Sequence, residues 1–167
     1  MNASSREQFN ELYRAYGRLV RNFLFRLGAR ANLDDLTQET FLRAWKYRED
    51  LREPAAAKAW LLRIALHRFY DQGRKKSHPT SPLEESEIAG TEASAARADA
   101  RIDAERALEE LPLEQRSVCL LFYLEDLSVA EIAEIVGVPE GTVKTRLLKA
   151  REKMKLVFEN EPKKERV

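Results

Sequence analysis

Cysteine is almost missing from this chain. Cys119 stands alone, so neither an intrachain disulfide framework nor a cysteine-based zinc site can be built. Its place in an apolar run reads as a buried thiol acting as a small hydrophobe. Histidine is nearly as scarce. His67 and His78 are the only two, and nothing near either resembles a metal cluster or a nucleophile–base pair, so no catalytic constellation, no metal and no cofactor are expected. Glycine and proline number six each in 167 residues, and no period-two alternation persists. That predicts an all-α chain. No run is apolar and long enough to cross a bilayer, and the stretch Met1 to Glu7 is polar, unlike the start of a secretory signal peptide. A soluble, cytoplasmic protein is expected. A surplus of one charge is missing too: 29 Lys+Arg face 28 Asp+Glu, a net charge of +1.

Charge is instead segregated along the chain. Leu62 to Lys76 carries Arg63, Arg68, Arg74, Lys75 and Lys76 against Asp71 alone; Glu84 to Glu110 is strongly acidic; Lys144 to Lys155 is basic again. Hydrophobic spacing places the helices. Phe9, Leu12, Tyr13, Tyr16, Val20, Phe23, Leu24 and Leu27 recur at helical intervals up to Gly28, predicting a helix over 5–27 with a capping box at Ser4 and Glu7. A second helix runs from Asn32 or Asp34 to about Tyr47. Pro54 opens a third, over about 54–72, that Gly73 ends, with Trp60 in its core. Turn residues and an acidic, alanine-rich composition make 77–96 a flexible linker. A new helical half starts near Arg97, with Ile102, Leu108 and Leu111 as a thin stripe. Pro112 then starts a helix through Glu125, with Val118, Cys119, Leu121, Phe122 and Leu124 as core. The reading is two small helical domains, 1–76 and 97–158, joined by that linker, with a charged tail over 159–167. Two basic surfaces on one tether gain from effective concentration where the linker spans both sites.

The second half ends in helix, tight turn, helix. Ser128 with Glu131 makes a capping box, Gly137 stops the first helix and Pro139 suits the start of the next. Val143, Leu147, Ala150 and Met154 form an inward stripe, while Thr142, Lys144, Thr145, Arg146, Lys149 and Lys153 lie off it. A helix-turn-helix with an outward basic and hydroxyl face suits DNA reading; taken alone it also suits a solvated helix in an ordinary bundle.

Two patches stand out in the first half. Asp35, Gln38 and Glu39 fall one helical turn apart beside Leu42, either a docking surface or, as physics alone favours, a plain helix exterior. Arg63, His67, Tyr70 and Arg74 form a basic stripe with an aromatic in it, a combination that holds a single strand by its phosphates and stacks a base.

Taken together, these segments resemble the extracytoplasmic-function (ECF) group of bacterial RNA polymerase sigma factors. Asp34-Asp35-Leu36-Thr37-Gln38-Glu39-Thr40-Phe41-Leu42-Arg43-Ala44-Trp45 is similar to that family's core-polymerase-binding helix, Trp60-Leu61-Leu62-Arg63-Ile64-Ala65 to the start of its −10-reading helix, and Leu108-Glu109-Glu110-Leu111-Pro112 with Gly141-Thr142-Val143-Lys144-Thr145-Arg146 to its −35-reading domain. The order and spacing match from about Phe9 to Met154. The resemblance implies a non-enzymatic transcription initiation factor. Asp35, Gln38, Glu39 and Leu42 then meet core RNA polymerase, whose largest-subunit clamp helices and flap are the implied contacts. Asp50, Arg52, Arg63, His67, Arg68, Tyr70, Arg74 and Lys75 meet the −10 element, and Thr142, Lys144, Thr145, Arg146, Lys149 and Lys153 the −35 element. An anti-sigma factor is a further implied partner; a small-molecule substrate is not. His67 departs from the family's frequent asparagine, and imidazole offers a different donor–acceptor geometry to a base. The competing reading is a stand-alone helix-turn-helix transcriptional regulator, which needs no acidic docking helix in the first half; an enzyme has no supporting site.

Overall fold

The computed structural model describes residues 3–75 and 103–160, with side chains over 6–74 and 103–156. The expected linker at 77–96, the helix start near Arg97 and the tail beyond Asn160 lie outside the described residues. The chain divides into two compact units. One holds the first three helices, α1 (Ala3–Leu27), α2 (Leu33–Lys46) and α3 (Ala57–Lys75). The other holds α4 (residues 103–109), α5 (Leu113–Cys119), the start of α6 (Val129–Val136) and α7 (Glu140–Asn160). Every regular element among the described residues is helical, as the all-α reading expected. No helix among them is long and apolar enough to cross a membrane.

In the first unit the three helices pack against each other pairwise. Val20, Phe23, Leu24 and Leu27 of α1, Leu36, Phe41 and Ala44 of α2, and Leu61, Leu62, Ala65 and Leu66 of α3 are at most 2% exposed. Burying a side chain of this size contributes roughly 1.5–3 kcal/mol. Thr37 and Thr40 are buried without penalty, because their hydroxyls donate back to the carbonyls of Leu33 (2.8 Å) and Leu36 (2.7 Å). Gly28 ends α1 in the left-handed region (φ 119°). Its N–H donates to Phe25 and that of Ala29 to Leu24, both at 3.0 Å, which satisfies carbonyls the helix end leaves open.

Three boundaries differ from the sequence reading. α1 already includes Ala3, so Ser4 lies inside the helix and is not its cap. Gly73 does not end α3, which continues to Lys75; mid-helix glycine costs only about 1 kcal/mol, too little to stop a helix by itself. Trp60 is half-buried rather than core. A 3₁₀ turn at Pro54–Ala56 leads into α3.

In the second unit α5 packs on α7, and Val118, Leu121, Ile132, Val143 and Ala150 are fully enclosed, with Leu147 2% exposed. Arg116 ties α4 to α5: its guanidinium donates to the carbonyls of Leu108 (2.9 Å) and Leu111 (3.0 Å) at the end of α4, where a cation also suits the helix dipole. After Cys119 the helix widens into a π turn, Leu120–Leu124, with the N–H of Glu125 donating to the carbonyl of Leu120. The extra residue per turn rotates the side chains after it about the helix axis. Leu124, expected in the core, is therefore 49% exposed, as is Tyr123 at 53%. Asp126 (φ 55°) turns the chain toward α6. Cys119 is buried as expected, and burial pushes its thiol up to about 11, far from a reactive thiolate.

Candidate nucleic-acid and partner interfaces

The basic stripe of α3 is a wall of a groove. Residues 63, 67, 70 and 74 share a face because each is three or four positions from the next. Across from them stand the end of α2 and the turn after it. The resulting concavity encloses about 860 Å³ and is lined by Asp50, Arg63, His67, Arg68, Tyr70 and Arg74 together. Arg52 is not among them. It lines a different, largely apolar concavity with Phe9, Tyr16, Trp45 and Trp60, because the extended backbone after Asp50 carries it to the other side of the turn. Lys75 is the last residue of α3, and its side chain lies outside the described residues.

Composition along α3 alone hides two members of this groove and understates a third. Arg43 and Tyr47 come from α2 and its end, and Asp71 sits between two arginines. The Arg43 guanidinium lies over the Tyr47 ring, 5.4 Å from its centroid. The Asp71 carboxylate accepts from Arg68 through one oxygen and from Arg74 through the other. The hydrogen bond from Arg74 is the largest influence holding that carboxyl below its ordinary range, and burial opposes it. The signal was available: both arginines stand three positions from Asp71.

A second concavity, of about 750 Å³, opens on the outer side of α2. It gathers Asp35, Gln38, Glu39 and Leu42 with Asn32, Lys46 and Gln72. Leu42 is 64% exposed at its edge. A surface with carboxylates, an amide and one bare leucine is suited to a partner with basic side chains around an apolar contact. Arg43, Tyr47, Arg68 and Asp71 line both concavities, so the two share one wall, and the outer one balances Asp35, Glu39 and Asp71 with Arg43, Lys46 and Arg68.

In the second unit the helix-turn-helix forms as its caps predict. The Ser128 N–H donates to Glu131 Oε2 (2.8 Å), and the Glu131 N–H donates to Ser128 Oγ (3.2 Å), a complete capping box. Gly137 (φ 76°) stops α6, with the Val138 N–H donating to Ala133 (3.2 Å). The Pro139 carbonyl then accepts from Thr142 (2.9 Å) and Val143 (3.2 Å) to start α7.

The six polar residues expected on the outer face of α7 do not share one direction. At about 100° per residue, Lys144 and Arg146 point to opposite flanks. Lys144, Thr145, Lys149 and Lys153 are exposed, and Thr142 is half-buried. The Arg146 side chain is only 19% exposed and lies 3.5 Å from Glu114 of α5. Thr145 turns its hydroxyl back to the Gly141 carbonyl (3.0 Å). Among the described residues no group of three or more His, Cys, Asp or Glu stands where a metal ion could be held.

Known families match both units. Residues 12–78 match the family model of sigma-70 region 2, and residues 101–154 that of sigma-70 region 4. The ECF RNA polymerase sigma factor SigM of Mycobacterium tuberculosis is 35% identical over 155 residues, covering 91% of this chain and 78% of that protein. The chain belongs to the ECF sigma factors. SigW of Bacillus subtilis, of the same group, is 36% identical over 145 residues, covering 77% of this chain and 76% of its own. Among solved structures, CnrH in complex with the cytosolic domain of CnrY superposes with a TM-score of 0.67 at 25% identity, over 94% of this chain and 91% of that one. The sigma factor RpoE bound to the anti-sigma factor NepR, from Bartonella quintana, shares the fold, with a TM-score of 0.76 at 22% identity over 93% and 99% of the two chains. The sigma factor therefore directs transcription initiation from promoters. A stand-alone regulator is set aside, because the first half matches region 2 as well as the second matches region 4.

Proposed function

We propose that this sigma factor divides its work among three surfaces. The outer concavity of α2, with Asp35, Gln38, Glu39 and Leu42, docks on core RNA polymerase at the clamp helices of the largest subunit. The groove of α3 holds the opened −10 element: Arg63, Arg68 and Arg74, with Lys75 beyond them, face phosphates, and Tyr70 and His67 face an unstacked base. Unstacking that base costs a few kcal/mol, which stacking and charge in the groove offset. In the second unit, Lys144, Thr145, Lys149 and Lys153 enter or flank the major groove of the −35 element, with Thr142 and Arg146 at one edge, while the polymerase flap contacts the same domain. The observation that supports this reading is the common wall of the two concavities, Arg43, Tyr47, Arg68 and Asp71, which puts the surfaces proposed for docking and for strand binding side by side on α2 and α3.

The factor performs no covalent chemistry of its own and works in the cytoplasm, where polymerase and promoter DNA are. An anti-sigma protein fits the same architecture, since a clamp on both units blocks initiation without altering either. The relative CnrH is held by the cytosolic domain of CnrY, in line with such a partner.

Transcription in vitro with core polymerase on a genomic fragment library tests the whole reading. Specific starts preceded by a shared pair of elements are expected only when the factor is added. Binding to duplex DNA by the protein alone, with no specific starts, would return the stand-alone regulator. Replacing Gln38 and Glu39 by alanine is expected to weaken capture of core polymerase about tenfold or more, as loss of two or three charge-assisted contacts does, with helicity unchanged. Equal capture removes polymerase docking from this concavity.

A further inference from the structure

The groove of α3 contains a carboxylate where phosphate is to bind. Four arginines line it, Arg43, Arg63, Arg68 and Arg74, against two carboxylates, Asp50 and Asp71. Asp71 differs from Asp50 in being engaged at both oxygens, by arginines one turn before and one turn after it. The two arginines are unlike in setting. Arg74 is 79% exposed and Arg68 24% exposed. Phosphate offers more acceptor oxygens than one carboxylate and pairs with guanidinium groups in the same way, so it can take the place of Asp71 at both arginines.

We infer that Asp71 is an internal counter-ion that competes with nucleic-acid phosphate for Arg68 and Arg74, holding down the affinity of the groove for single-stranded DNA. The inference rests on the groove being the strand site. Binding is then an exchange. The strand displaces a carboxylate from two arginines, and the gain from each new contact is offset by the ion pair given up. The exchange penalises every phosphate backbone equally, so it lowers affinity for all single strands alike and leaves discrimination between sequences to the contacts with bases.

The test is binding of a labelled single-stranded oligonucleotide of mixed sequence to the full chain, followed by fluorescence anisotropy across a salt series. Each arginine freed for phosphate steepens the slope of log affinity against log salt by about 0.7, which at roughly 0.1 M salt is about fivefold in affinity. Asp71→Asn, which removes the charge and keeps the shape, is expected to bind about five- to twentyfold tighter with a steeper slope. Asp71→Ala repeats the measurement with a strong helix former, and circular dichroism checks that α3 is intact. In the Asp71→Asn background, adding Arg74→Ala should remove about fivefold of the gain. Unchanged or weaker binding by both folded Asp71 variants overturns the proposal, since Asp71 then serves only to position its arginines. Arg63→Ala separates the two readings. If it weakens binding while the Asp71 variants gain nothing, the counter-ion role falls and the groove stands. If it has no effect, the strand lies elsewhere and both fall.

Discussion

The two basic helices of this sigma factor carry similar residues on surfaces of different shape. α3 is the wall of a concavity: its cations are mixed with Asp50, Asp71 and the ring of Tyr70, and are partly neutralised before any ligand arrives. α7 is a ridge, whose inward stripe of Val143, Leu147 and Ala150 is buried while Lys144, Lys149 and Lys153 stand exposed. A flexible single strand can bend into a groove and present its bases to a side chain. A duplex cannot, but its major groove, about 12 Å wide, admits a helix of similar diameter. Under the proposed assignment, shape more than charge separates the melted element from the paired one.

The strongest way to sharpen this contrast is to damage one unit and assay both activities. Phe41 is 2% exposed and packs edge-on against Phe9 and Tyr13. Phe41→Ala should cost about 3–5 kcal/mol, enough to melt a three-helix unit at physiological temperature. Oligonucleotide binding and polymerase capture are expected to vanish, while binding to a −35 duplex persists. Thermal melts read by two probes, one in each unit, check it. Loss of duplex binding in parallel would mean that the two units stand or fall together.

A gentler test exchanges the effects. Arg63→Ala should weaken single-strand binding about fivefold and leave duplex binding alone, and Lys149→Ala should weaken duplex binding by about eightfold and leave the strand alone, the figures reflecting the charge density of each form. The salt slopes should fall by about 0.7 and 0.9 respectively. Cross-effects of equal size would erase the distinction between groove and ridge.

How much of this was legible in the sequence depends on how local the information is. Caps and stops were legible at Gly28, Ser128, Glu131, Gly137 and Pro139, because each acts within four residues of itself. The buried side of α2, expected at Leu33, Leu36, Thr37, Thr40, Phe41, Ala44 and Trp45, was legible because these keep one helical period; all are buried except Trp45, which is half-buried. Gly73 misled because a glycine is a weak stop signal on its own: it costs a helix only about 1 kcal/mol and α3 runs through it. The π turn at Leu120–Leu124 was invisible, since periodicity assumes a constant 3.6 residues per turn and one inserted residue moves Leu124 to the surface. In the site, Asp35, Gln38, Glu39 and Leu42 were grouped correctly because they share one helix. Arg43 and Tyr47 were missed as groove members because the groove is closed by a second helix, whereas Asp71 stood on α3 itself, three positions from each of two arginines, and could have been read there. Arg52 was misplaced because loop backbone has no period to read. Arg146 was assigned outward because its partner, Glu114, is 32 positions away and on another helix.

The smallest expected effect tests what aims the ridge. α6 has only eight residues, too few to persist by propensity, so its cap should matter. Ser128→Ala removes the acceptor of the Glu131 N–H and a partner of Glu131 Oε2. The site is exposed, so water replaces part of what is lost, and the cost should be about 1 kcal/mol. Urea unfolding of the second unit should show that loss, with single-strand binding unchanged. Duplex affinity should fall less than twofold at temperatures where the unit remains folded, because α7 is seated by its own buried stripe on α5 rather than by α6. A tenfold drop instead would mean that the capped α6 sets the angle of α7 against DNA. The ridge would then be a two-helix device, and the contrast with the groove would narrow to one of curvature, since both would depend on a second helix for their aim.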